Sequence, residues 1–205
     1  NIIVDREKEI SAINKVFSKI SSSNIIQLNN TCRIEGGDVI LNNKDIFIGY
    51  SKKDDFEKFK VARTNESAVN EIKNIFPNKN VFSFELKKSD LKPDENALHL
   101  DCCFQPIGQG FAIIYENGFK NKSDINLLID MFGNNNLIRI SKQEMYEMNS
   151  NVFSISENII VSEMGFNRLN NILREKGFIV EEIKFSEIAK MEGLLRCATL
   201  PLYRK

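Results

Sequence analysis

The 205-residue sequence predicts an α/β protein built by repeating one strand–strand–helix–strand unit. Three stretches pass through the same order of hydrophobic periods, first 2, then 3.6, then 2 again. The polar segments that open them, marked by Asp38, His99 and Asn149, recur every ~50–60 residues, a period typical of blades around an axis or of a stacked array. Composition agrees: 42% hydrophobic and 27% charged residues are ordinary for a globular protein.

The first unit begins with "GDVILNNKDIFIGYS", two short strand-like runs about an Asn-Asn-Lys-Asp turn. A polar insert, "KKDDFEKFKVA", follows. "TNESAVNEIKNIF" then places Ala68, Val69, Ile72, Ile75 and Phe76 at helical spacing, with Thr64 or Asn65 as N-cap and Pro77 as the stop. "NVFSFEL" completes the unit as a strand. The second unit has two strands about Gly108–Gly110, a helix "SDINLLIDMF" capped by Ser123, and the strand "NNLIRIS". In the third, "NVFSISENIIVSE" supplies two strands, a helix runs from an N-cap at Ser162 to Gly177 at C′, and "FIVEEIKFS" closes the unit. Residues 1–30 are expected to be the strand, helix and strand of a further unit. About three and a half repeats are thus expected in one domain, 1–205, and closing a ring would require more sequence before Asn1.

Net charge is +0 and the pI about 6.8, so no basic excess exists to grip a phosphate backbone, and nucleic-acid binding is not expected. No apolar run approaches the ~20 residues of a membrane span, and no signal peptide is visible. Cys32, Cys102, Cys103 and Cys197 lack the paired spacing of a zinc clamp, and the chain has a single histidine to help them. Free thiols in a reducing cytoplasm are the expectation.

Three sites could carry chemistry. His99, in "ALHLDCCF", precedes an apolar strand, and Asp101 two positions on would share its face if the segment is extended. "RIEGGDVIL" places two glycines between Glu35 and Asp38, which permits close backbone approach. Cys197, in "GLLRCATLPL", has Arg196 as neighbour. A lone cysteine there is commonly core packing, and a lone histidine is commonly structural. Together they make a set at equivalent edges of a repeating unit. A cysteine–histidine pair faced by carboxylates suits a planar cation such as a guanidinium, whose forked N–H groups carboxylates accept in pairs, and whose central carbon a thiolate can attack.

In this order, "RIEGGDVIL", "FIGYS" with "ARTN", "ALHLDCCFQPIG" and "LLRCATLPLYR" resemble the motifs of the guanidino-group-modifying, or pentein, superfamily. Arginine deiminases, agmatine deiminases, dimethylarginine dimethylaminohydrolases and amidinotransferases belong to it. The resemblance implies a five-bladed α/β propeller. It also implies Cys197 as nucleophile, His99 as general acid and base, and Glu35 as the acid that orients the histidine. Asp101 would hold the guanidinium, with Asp38 and Arg63 in supporting positions. Arg63, or less directly Arg196, would face a substrate carboxylate. The superfamily's further Arg-Asp motif, upstream of Glu-Gly-Gly-Asp, has no equivalent here, because Asp5 lies in the strand and helix that follow it. The insert between "GYS" and "ARTN" also departs from the usual short run.

The implied activity is hydrolysis of an arginine-like guanidino compound through a covalent cysteine–amidino intermediate. Amidino transfer and dimethylarginine hydrolysis are the alternatives, and Asp101 favours the deiminase or transferase side. A non-catalytic propeller used for binding is a third reading, disfavoured by the retained cysteine, histidine and glutamate. No metal or organic cofactor is needed, since thiolate and imidazole supply the chemistry. The expected partner is the small guanidino substrate, with no nucleic acid and no membrane, and a homo-oligomer is allowed.

Overall fold

The computed structural model describes residues 11, 14–190 and 193–201. Three separate three-stranded sheets account for the repeats. In the first, β1 (Val39–Asn42) runs antiparallel to β2 (Asp45–Tyr50), and β2 runs parallel to β3 (Asn80–Glu85). The second joins β4 (Phe104–Pro106), β5 (Ala112–Ile114) and β6 (Leu137–Arg139) in the same pattern. The third repeats it with β7 (Phe153–Ser154), β8 (Ile159–Glu163) and β9 (Ile179–Ile183). The helices in chain order are α1 (Asn14–Phe17), α2 (Lys53–Lys58), α3 (Glu66–Ile75), α4 (Lys122–Phe132), α5 (Lys142–Tyr146), α6 (Asn167–Glu175) and α7 (Ser186–Ala189). Parallel strands need a crossover, and α3, α4 and α6 provide it in the three units.

Local sequence explains most boundaries. Asn65 caps α3, its side chain accepting from the Ala68 amide. Ser141 and Glu144 form a reciprocal capping box on α5. Gly177, at φ +90°, follows the last turn of α6 as expected. Two expected caps lie elsewhere. The helix assigned to start after Ser123 starts at Lys122, with Asn121 before it. Ser162 is not a cap: it is buried within β8, and its hydroxyl donates to Asn170 Oδ1 on α6, tying strand to helix. The insert after β2 is not simply polar loop, since it folds into α2. Of the opening stretch, α1 is present, but 25–29 form no strand. The strand expected at its start and the final residues 202–205 lie outside the described residues.

One core runs through all three units, from Ile40 and Phe47 through Phe104 and Ile114 to Ile160 and Leu173. Its centre is aromatic. Phe47 stacks on Phe82, with ring centroids 5.6 Å apart, and meets Phe104 edge-on at 5.3 Å; Phe104 in turn meets Phe132 edge-on at 5.8 Å. These rings lock the first unit to the second, and such pairs add about 0.5–1.5 kcal/mol each beyond area burial. Phe47 is completely buried. Phe47→Ala is therefore expected to cost about 3–5 kcal/mol, read as a lowered midpoint in denaturant unfolding.

Candidate active site

Each unit's first strand is preceded by a tight turn, and the candidate residues sit on these turns. Glu35 precedes the 3₁₀ turn Gly36–Asp38 before β1. His99 precedes the 3₁₀ turn Leu100–Cys102 before β4. Residues 149–151 form the corresponding segment before β7. Cys197 lies on a further turn, Leu195–Ala198, anchored by buried Leu194 and Leu195.

His99 Nε2–H donates to Glu35 Oε2 at 2.7 Å. The ring packs over Gly37, where a Cβ would lie 2.8 Å from its Cγ, so this glycine is required by close approach. Burial alone would pull the imidazole pKa down. The Glu35 hydrogen bond and the Asp38, Asp101 and Glu35 charges outweigh it, and His99 stays protonated above its ordinary value of 6.5.

Asp38 is buried beneath this pair. Its Oδ2 accepts from Thr64 Oγ1 at 2.6 Å and its Oδ1 from the Leu100 amide at 2.9 Å. With both oxygens engaged, and Gly49 leaving room for Oδ1, Asp38 fastens the His99 turn rather than lining open space. Lys88, 8% exposed, clamps the same segment from the other side, donating to the Ala97 and Leu98 carbonyls at 2.7 Å each. Burial pushes the Asp38 carboxyl up and the Lys88 ammonium down, and their mutual attraction opposes both shifts.

Asp101 is 1% exposed. Its Oδ2 lies 3.9 Å from Cys197 Sγ and 3.7 Å from Arg196 Nη1. Burial raises its pKa, while the Arg196 and His99 charges hold it down. His99, Asp101 and Cys102 bring potential ligand atoms within 4.8 Å of one another. In that trio Nε2 is already committed to Glu35, and burial holds the Cys102 proton well above the usual range, whereas a metal needs thiolate. The extended geometry expected for His99 and Asp101 is absent. The 3₁₀ turn, not strand alternation, brings them together.

Cys197 lies at the surface with its thiol partly covered, and that covering and the Asp101 charge raise its pKa. Asn151, wholly buried, holds it: Nδ2 donates to Sγ at 3.2 Å, while Oδ1 accepts from the Cys197 amide at 3.2 Å and the Arg196 amide at 3.1 Å. Sequence reasoning missed Asn151. Its one signal was position, two residues after the Asn149 that marks the third unit. Arg196 faces inward, its Nη2 donating to the Val39 carbonyl at 2.7 Å. Arg63 Nε, buried without a hydrogen-bond partner, lies 3.9 Å from Glu35 Oε1. Glu35, Arg63, His99, Asp101, Arg196 and Cys197 therefore form one cluster, with Asp38 as its footing.

The family described as N,N dimethylarginine dimethylhydrolase, eukaryotic, matches residues 5–204. The chain belongs to this family. With it the chain belongs to the guanidino-group-modifying superfamily. The family is one of the alternatives named from the sequence, not the branch that Asp101 favoured. Protein YkgA of Bacillus subtilis is 31% identical over 171 residues, covering 83% of this chain and 52% of that protein. An arginine deiminase of Bacillus cytotoxicus is 27% identical over 210 residues, covering 84% and 48%. The chain spans about half the length of these curated relatives. The crystal structure of the N-terminal domain of ArgZ, a cyanobacterial arginine dihydrolase bound to product, superposes with a TM-score of 0.79 at 21% identity, covering 97% of this chain and 67% of that one. The chain thus shares an α/β fold with that domain.

As the chain's only histidine, His99 gives a single imidazole Cε1–H signal in NMR. Its titration midpoint is expected above 6.5, and Glu35→Gln is expected to lower it. Gly37→Ala, which must displace the ring, is expected to move the midpoint and to lower the unfolding temperature, since overpacking costs about 1–3 kcal/mol.

Proposed function

We propose that this chain carries the catalytic centre of a hydrolase acting on an arginine-like guanidino compound. The observation that carries the reading is the convergence on Asp101: Cys197 Sγ lies 3.9 Å from its carboxylate, beside a histidine held at 2.7 Å by Glu35. Asp101 is the natural seat for the guanidinium. Burial and then the Asp101 charge raise the Cys197 pKa; a cation there cancels the second, which favours loss of the thiol proton to solvent as substrate binds. The thiolate attacks the amidino carbon and a C–S bond forms. The C–N bond then breaks as His99 gives its proton to the departing amine. Water, activated by the now neutral His99, adds to the amidino carbon; the C–S bond breaks and leaves a ureido product. The raised pKa suits His99 to the first task. Arg63, with its buried and unpartnered Nε, is assigned to a substrate carboxylate. Arg196 and Asp38 hold the turns, because their polar groups are already engaged.

We infer the same way that the three units are blades of a five-bladed propeller forming one catalytic domain. The common strand order of the sheets and the shared core support this. Family membership favours methylated arginines as substrates, and the arginine deiminase relative favours arginine. No described helix is long and apolar enough to cross a membrane.

The test is incubation with arginine, N,N-dimethylarginine and agmatine, with mass spectrometry for ureido products and for an adduct on Cys197. Turnover of one of these, lost by at least ~1000-fold in Cys197→Ala with folding unchanged, is expected. Absence of both product and adduct would refute the reading. Because His99 must be protonated to release the amine, activity is expected to fall as pH rises through its elevated pKa. Glu35→Gln is expected to move that alkaline limb to lower pH.

A further inference from the structure

Away from the catalytic cluster, a cavity of about 590 Å³ opens between α2, the segment after β3, the β5–α4 connection and the start of α5. That volume falls within the range of small-molecule sites. None of Glu35, Arg63, His99, Asp101 or Cys197 lines it. Its walls carry five lysines, Lys58, Lys87, Lys88, Lys120 and Lys142.

Three of these are fixed in place, Lys88 by the Ala97 and Leu98 carbonyls. Lys120 donates to Asp55 at 2.6 Å and Glu85 at 2.9 Å, and Lys142 pairs with Asp94 at 2.6 Å and Glu95 at 3.2 Å. The other two, Lys58 and Lys87, have no carboxylate partner among the described residues. Tyr115 packs its ring in the same wall and leaves its hydroxyl open to the cavity, with no hydrogen-bond partner among the described residues. Two cations without carboxylate partners at the wall of one cavity favour an anionic ligand, to which the Tyr115 hydroxyl can donate. No arginine lines the cavity, so the planar fork that selects carboxylates is missing. Lysine point charges suit the tetrahedral oxygens of a phosphoryl group. The insert noticed in the sequence builds one wall, through Lys58 on α2.

We propose that this cavity binds a small phosphate-bearing molecule, independently of the guanidino site. Asp55 and Glu95 also line it, and they oppose an anion only in part, because Lys120 and Lys142 neutralise them.

The experiment is calorimetric titration of the full chain with inorganic pyrophosphate, and separately with malonate. Saturable one-site binding of pyrophosphate is expected, with a Kd of about 1 mM or tighter, weakening as salt rises. Lys58→Glu/Lys87→Glu, two exposed positions, is expected to weaken it at least ~10-fold, and Lys58→Gln/Lys87→Gln to weaken it less. Tyr115→Phe is expected to weaken it ~3–10-fold. Circular dichroism confirms that each variant is folded. Several results would overturn the proposal: no binding at ~10 mM pyrophosphate, equal affinity in the double variants, malonate binding as tightly, or displacement of pyrophosphate by arginine. None of these readings depends on turnover, so the catalytic reading stands or falls separately.

Discussion

The site depends on a circuit of hydrogen bonds that passes from turn to turn. Asp38 in the first unit accepts from the Leu100 amide in the second. The Asp101 carbonyl in the second accepts from Ser150 in the third. Asn151 in the third accepts from the amides of Arg196 and Cys197, and Arg196 returns to the first unit at the Val39 carbonyl. Every link joins a segment that leads into a strand, or the last turn, to its neighbour. Among the described residues the sheets share no ladder, so these links, an antiparallel bridge of Leu86 with Phe119 and the aromatic core fix how the units face each other. Bonds to charged groups contribute about 1.5–3 kcal/mol, and two of the four links are of this kind.

Electrostatics explains why the buried charges are retained. Asp38, Asp101, His99 and Lys88 sit in a small volume, where each alone would be expelled or neutralised. Each is satisfied by a neighbour that also places something else. Asp38 sets the Leu100 amide, Lys88 the carbonyls before His99, and Glu35 the ring itself. Polar groups that would be costly as isolated features become the means by which loops are located to within a hydrogen bond. This is the physical difference between a histidine on a loop and one held at fixed orientation.

The fold was largely legible in the sequence, because strand and helix periods are local and the units repeat them. The members of the proposed site were legible as well, since Glu35, His99 and Cys197 stand out in their motifs, and the structure brings them into one cluster. Features that failed were those decided by tertiary neighbours. Ser162 has an N-cap's composition, yet its hydroxyl finds Asn170 across the unit. His99 and Asp101 were paired for the wrong reason, because nothing local distinguishes a 3₁₀ turn from a short extended run there. Asn151 and Lys88 were invisible. An asparagine in a polar turn and a lysine after a strand look solvated until the fold buries them.

The Arg196–Val39 bond spans 157 positions of sequence. Contacts of such separation carry a large closure entropy and form late, after local pairs have consolidated. The turn that bears Cys197 is held by that bond and by Asn151, so its surroundings exist only once the first and last described units have met. A nascent or partly folded chain carries an ordinary cysteine there. Completion of the fold therefore turns an ordinary cysteine into one set beside a buried carboxylate, where its proton is held more firmly than in the unfolded chain.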